Sequence, residues 1–200
     1  MDIIEIGKKV LLSEARMLQQ LAGELDGSLE QAVHLLANCK GHVIVSGVGT
    51  TGIVARRFAH LLCNVGCPAL FLHAGDSLHG SSGAIKEDDV VVLLSKTGET
   101  TETCKLAEIV SKRGAAIITL TARPESTIGK LSKIIIHLDT PPEVDPFEGL
   151  MAVGSSLAMD AMCDTMVFGV LELKGTPRDH FVNGHPGGII AKMAAEDSSK

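Results

Sequence analysis

The octapeptide Ser95-Lys96-Thr97-Gly98-Glu99-Thr100-Thr101-Glu102 concentrates hydroxyls, one cation, a glycine and two carboxylates between the apolar run Val90–Leu94 and a segment with helical spacing. A buried strand that turns into a helix at such a point presents unpaired backbone N–H groups and a partial positive charge. That is an anion site, and phosphate is its usual occupant. The plain alternative is an ordinary capping box at the start of the helix, which holds no ligand. On this stretch alone the two readings weigh about equally.

A second loop competes for the same role. Gly47-Val48-Gly49-Thr50-Thr51-Gly52 follows the β-rich run His42–Ser46 and opens a helix reaching about Val65. The spacing G-x-G-x-x-G after a strand is that of a dinucleotide site, which also needs an acidic residue beyond the next strand, and Asp76 stands near the expected distance. Hydroxyls at Thr50 and Thr51 suit a single phosphate equally well, and a tight turn that binds nothing is the plain alternative. Residues 73–83 are rich in Gly, Ser and His and offer His73 and His79 as contact or proton-transfer groups. A lone loop histidine is more often a bystander. Asp139–Glu148 is an acidic, proline-containing loop with Glu143, Asp145 and Glu148, and the tail around His185 is fixed by Pro186, Gly187 and Gly188.

The elements that must position these loops follow from periodicity. Two amphipathic helices come first, over residues 3–22 and from Ser28, read as a cap with Gln31, to about Asn38. Strands follow at His42–Ser46, Ala69–Leu72, Val90–Leu94, Ala116–Leu120 and Lys133–Leu138, separated by helical segments, one of them started near Arg123-Pro124. Five alternations of β and α predict a parallel sheet with right-handed crossovers. Residues 149–173 predict a long helix, apolar nearly all round, broken at Gly175–Pro177. A helix of that kind asks for a subunit interface. On it, Asp160 and Asp164 form a like-charged i, i+4 pair that needs partners. Residues 194–200 read as a frayed end. The expected organisation is one α/β domain over 1–200: helices to residue 40, a βα core to 140, then the acidic loop, the long helix and the His-Pro-Gly-Gly segment.

Composition narrows the function classes. The 200 residues include five Phe, no Trp and no Tyr, with a net charge of −6. Stacking platforms for single strands need aromatics and polyanion binding needs basic runs, so nucleic-acid partners are not expected. Cys39, Cys63, Cys67, Cys104 and Cys163 show no paired zinc spacing, which predicts reduced thiols, no metal site and a cytoplasmic protein. No secretory leader and no membrane-spanning run are expected.

Four segments taken together, Gly47–Gly52, Leu72–Gly83, Leu94–Glu102 and Gly184–Gly188, resemble the sugar-isomerase (SIS) domain, and within it the arabinose-5-phosphate isomerase branch. That branch reads G-x-G-K-S-G, H-P-G-E-x-x-H-G-D, S-N-S-G-E-S-S-E and S-H-P-G-G in the same order. The resemblance, over residues 30–195, implies a three-layer αβα sandwich whose five-stranded parallel sheet has the flavodoxin-like order 2-1-3-4-5. It implies a small-molecule sugar phosphate as ligand, no cofactor, and aldose–ketose isomerisation through an enediol. On this mapping Ser95, Thr97 and Thr100 hold the phosphate, with Gly49, Thr50 and Thr51 on the other wall. Glu99, Glu143 and His185 match acid/base positions, and His79 matches a further site histidine. Family tetramers deliver the tail histidine from a neighbouring subunit, so a homo-oligomer, dimer or tetramer, is expected. The branch lysine is Thr50 here, while Lys96 stands at an asparagine position, so Lys96 is expected to restore the missing charge. The segment beginning at Glu143 is one residue longer than the branch pattern, which leaves Glu148 as an alternative to Glu143. The CBS-type regulatory domains of the branch are not expected. A non-catalytic phosphosugar sensor with the same pocket is the competing function.

Overall fold

The computed structural model describes residues 2–189. Its centre is a five-stranded, wholly parallel sheet in the order β2-β1-β3-β4-β5, formed by β1 (Val43–Ser46), β2 (Ala69–Phe71), β3 (Val90–Leu94), β4 (Ala116–Thr121) and β5 (Ile134–His137). The predicted fold class and strand order are therefore those observed. Eight helices and one left-handed turn, labelled α7, among the described residues join or flank the strands: α1 (Ile3–Gly23), α2 (Gly27–Ala37), α3 (Thr50–Asn64), α4 (Ala74–Ser77), α5 (Thr101–Arg113), α6 (Thr127–Leu131), the turn α7 (Pro146–Gly149), α8 (Gly154–Lys174) and α9 (Arg178–Asn183).

Period-two alternation along the strands builds two cores, one on each face of the sheet. Val90, Val92 and Leu94 of β3 join Val43 and Val45 against Phe58, Leu62, Met159 and Met166 of α3 and α8. Val91 and Leu93, with Ile44 and Ile117, face the opposite way onto Leu106, Val110 and Ile128 of α5 and α6. All five residues of β3 are buried, as the central strand of a covered sheet requires.

Several boundaries differ from the sequence reading for local reasons. Asp26, not Ser28, caps α2; its carboxylate accepts the Ser28 amide at 2.8 Å. Ser126 caps α6 by accepting the Gly129 amide, so that helix starts after the Arg123-Pro124 turn. Residues 73–83 are not a plain loop but contain α4 and enter a 3-10 turn, Ser81–Ala84. The long helix α8 starts at Gly154 rather than 149; the positive-φ run of Phe147 and Glu148 extends through Gly149 (φ +89°), which a right-handed helix cannot include. Among the described residues no helix is long and apolar enough to cross a membrane.

Helix α8 lies against α1, α2 and α3 and buries Met159, Met162, Cys163 and Met166, but leaves Phe168 and Leu173 exposed. Its like-charged pair has found a partner: Arg57 of α3 donates to Asp160 at 2.8 Å and to Asp164 at 2.7 and 3.0 Å. The three side chains are part-exposed, so screening limits the gain. Arg57→Ala is expected to cost about 1 kcal/mol or less in chemical denaturation, and less at high salt. Adding Asp164→Asn to that variant should recover part of the loss, because it removes the bare i, i+4 repulsion.

Candidate functional site

Strand order alone places a crevice. The chain leaves β1 toward β2 on one side and leaves β3 toward β4 on the other, so the loops after these adjacent strands diverge at their C-terminal ends. A cleft of about 600 Å³ lies there, lined by Val48, Thr50 and Thr51 from the first loop and by Ser95, Lys96, Thr97 and Thr100 from the second. Arg123, Asp139, Glu148 and Gly149 also line its walls. Two helices, α3 and α5, begin at its rim, and neither has a side-chain cap. A capping box is thus not what the β3–α5 loop forms, and the first-turn amides of α5 keep their donor character at the cleft rim.

The β3–α5 loop is stitched tightly. The Ser95 hydroxyl accepts the Gly98 amide at 3.1 Å and shares a 3.2 Å hydrogen bond with the Thr100 hydroxyl. The Lys96 carbonyl accepts the Ala122 amide at 3.0 Å and the Thr121 hydroxyl at 3.2 Å, tying the loop to the end of β4. Gly98 has φ +67°, and a Cβ there would collide with the Ser126 hydroxyl that caps α6. Only glycine satisfies both demands.

The carboxylates and histidines named from sequence are dispersed. Glu99 is exposed, and its carboxylate reaches the start of α6, accepting the Thr127 amide at 2.8 Å and its hydroxyl at 2.7 Å. The hydroxyl and then the amide of Thr127 hold its carboxyl below the ordinary glutamate value. Glu143 lies in the 3-10 turn Pro142–Val144, beside a groove lined by Lys8, Lys9 and Arg16 of α1, outside the cleft. His79 is exposed in the turn after α4, and Asp76 sits on α4 itself; neither lines the cleft. The His185 ring bonds the Phe181 carbonyl at 2.7 Å and lies over the Phe181 ring. Its segment is anchored at the far end of α3, where His180 meets the Cys63 carbonyl and Thr176 donates to the Val65 carbonyl. The fifteen residues of α3 separate that end from Thr50 by about 20 Å. Gly49, with φ +60°, ends the first loop as the α3 cap.

Lys96 lines the cleft, yet its ammonium is engaged by protein. It donates to Asp145 at 2.7 Å and to the Gly149 carbonyl at 3.0 Å. The Asp145 side chain is 1% exposed, and its other oxygen accepts the amides of Val153 at 2.7 Å and Ser155 at 3.0 Å, fastening the start of α8. Burial pushes the Asp145 carboxyl up, but the bonds from Lys96, Ser155 and Val153 together outweigh it and hold it below its ordinary value. Sequence reasoning places Asp145 only in a solvated acidic loop, and Arg123 only at a helix start. A signal is available: a lysine among hydroxyls at a buried strand end needs a counter-charge, and Asp145 precedes a proline in the acidic loop beyond the last strand.

Fold and cleft together define a doubly wound α/β protein with an anion-suited crevice at the switch point of its sheet. The chain belongs to the SIS domain family, whose match spans residues 35–168. It is 31% identical over 191 residues to arabinose 5-phosphate isomerase KdsD of Yersinia pestis, covering 96% of this chain and 58% of that protein. To arabinose 5-phosphate isomerase KpsF of Escherichia coli it is 32% identical over 186 residues, covering 92% of this chain and 58% of the relative. The chain thus spans 58% of the length of these curated relatives. A solved Escherichia coli CFT073 protein in complex with arabinose 5-phosphate matches with a TM-score of 0.88 at 28% identity, covering 92% of this chain and 98% of that one.

Two outcomes follow from the loop geometry. Gly98→Ala should lower stability by about 2–4 kcal/mol, from the left-handed backbone and the collision with Ser126 combined, measured by urea unfolding. Asp145→Asn should lower it by about 2 kcal/mol at neutral pH, since it leaves Lys96 part-buried and uncompensated. Because the folded-state value of Asp145 is depressed, its contribution is complete above the ordinary carboxylate value of about 3.9 and is lost as pH falls through the lower folded value. The stability gap between wild type and Asp145→Asn should therefore be level near neutrality and close only below about pH 4.

Proposed function

We propose that the chain is a phosphosugar aldose–ketose isomerase acting on arabinose 5-phosphate and ribulose 5-phosphate or a close analogue. The observation that carries this reading is the cleft at the switch point. There the uncapped α5 N-terminus and the hydroxyls of Ser95, Thr97 and Thr100 converge opposite Thr50 and Thr51. An anion is what such a cradle accepts. The named activity of KdsD and KpsF, and the arabinose 5-phosphate held by the Escherichia coli CFT073 protein, support a sugar phosphate as its occupant. Arg123 on the cleft wall supplies a guanidinium for the phosphate, in place of the branch lysine that is Thr50 here.

The reaction moves two protons and leaves the net oxidation level of the sugar unchanged. A base takes the proton from C2 of the aldose while the carbonyl oxygen at C1 gains one, forming the enediol. The O2 hydroxyl then gives up its proton and C1 receives one, which yields the ketose. Carboxylates and imidazoles suffice for each transfer. Glu99, Glu143, His79 and His185 are the sequence-derived candidates. Their dispersal within one subunit supports an assembly in which a neighbouring copy brings the His185 segment to the cleft. Leu150 lines the cleft and is 87% exposed, apolar surface that such an assembly would cover.

The competing reading, a sugar-phosphate sensor without turnover, is favoured by Thr50 at the lysine position and by Glu99 being engaged with Thr127. Turnover on a panel of pentose and hexose phosphates separates the two. The expected result is saturable isomerisation of one pentose phosphate, with the Ser95→Ala, Thr100→Ala double variant raising KM about tenfold or more. Saturable binding with no turnover on any member of the panel would establish the sensor instead. Light scattering on the same sample reads the oligomer.

A further inference from the structure

We propose that Glu148 is the acid/base carboxylate of this cleft and that the Lys96–Asp145 pair is the device that positions it. The proposal rests on the isomerase reading. Two carboxylates line the cleft, Asp139 and Glu148. Asp139 follows the edge strand β5 and also borders a separate groove with Gln20 and Leu21 of α1, so it straddles two surfaces. Glu148 belongs to the cleft and sits between the two groups that Lys96 grips, Asp145 and the Gly149 carbonyl. Lys96 is flanked in sequence by Ser95 and Thr97, whose hydroxyls line the same cleft. One ammonium thereby fixes the distance between the phosphate-suited hydroxyls and the Glu148 turn.

The backbone shows that this turn is imposed from outside. Phe147 (φ 54°, ψ 50°) and Glu148 (φ 58°, ψ 35°) are the only non-glycine residues with positive φ among those described, and Gly149 continues the run at φ +89°. Consecutive left-handed conformations in a phenylalanine and a glutamate persist only where the surroundings over-determine them. The surroundings here are the two bonds from Lys96 and the two amides, Val153 and Ser155, on the other oxygen of Asp145. Relaxing the turn toward ordinary backbone would carry Glu148 away from the hydroxyl wall. Positioning of a base within a near-attack distance is worth orders of magnitude in rate. Lys96 is accordingly a positioning residue, and Glu148 the group that exchanges a proton with the sugar carbons.

Steady-state kinetics on the pentose phosphate that wild type turns over, with amide hydrogen exchange over residues 146–151, tests both parts. Glu148→Gln should lower kcat about 100-fold or more with KM changed by less than about threefold. Lys96→Met should lower kcat at least about tenfold, leave inhibition by inorganic phosphate nearly unchanged, and speed exchange in the turn. Lys96→Arg, which can make the same two bonds, should restore most of the protection and part of the rate. Retention of wild-type kcat by Glu148→Gln overturns the catalytic assignment. Phosphate inhibition weakened about tenfold in Lys96→Met at unchanged kcat overturns the latch and makes Lys96 a phosphate ligand. Absence of turnover by wild type removes the isomerase reading and with it the chemistry of Glu148. In that case accelerated exchange in Lys96→Met still supports the latch, and unchanged exchange overturns it.

Discussion

The ammonium of Lys96 joins two parts of the chain that no hydrogen-bonded ladder joins: the loop after the central strand and the turn that precedes α8. A buried carboxylate is costly unless it is paired and fully hydrogen-bonded. Asp145 meets that condition with one cation and two amides, so removing any of them exposes the cost of the rest. The start of α8, the left-handed turn and the near wall of the cleft therefore share one electrostatic anchor. Helix α8 in turn closes the larger of the two cores against α3, whose N-terminus forms the opposite wall. The cleft walls are held at fixed spacing by this circuit through sheet, helix and ion pair.

A consequence concerns where cationic charge acts in the cleft. A lysine beside phosphate-suited hydroxyls invites the reading of an anion ligand, and its type and place in the sequence are compatible with that. Its geometry is that of a strut, because an ammonium has three donors and two are directed at protein oxygens. The other positive groups at the cleft are the uncapped first-turn amides of α3 and α5 and the Arg123 guanidinium. Amides at a helix N-terminus need no desolvation of a counter-ion and no rotamer freezing.

The parts of the fold that were legible in the sequence are those decided by short-range periodicity. Val90–Leu94 reads as a central strand because it is apolar at every position, and the glycine loop after Ser46 reads as a βα turn because both signals lie within ten residues. The start of α8 was not legible. Leu150, Val153 and Leu157 continue an apolar helical pattern, but Asp145, Phe147 and Glu148 are held in a turn by a lysine 49 positions before Asp145. Asp26 displaced Ser28 as the α2 cap for a smaller reason: two good caps lie within one turn of each other, and propensity alone does not rank them. The site was legible as two loops and illegible as a set of partners. Glu99 illustrates this, since its two bonds to Thr127 depend on α6 packing beside α5.

Glu99 and Lys96 also show why matching residue types to a pattern underdetermines a mechanism. Each occupies a loop that approaches the cleft, and each is held by the fold, one by an amide and a hydroxyl, the other by a carboxylate and a carbonyl. Held side chains define the shape of a site, whereas chemistry at a substrate carbon falls to groups with lone pairs or protons still to give. Within the described cleft that distinction passes over the residues most conspicuous in sequence. It leaves Glu148, which lines the cleft in a turn that two bonds from Lys96 and two amides on Asp145 hold left-handed.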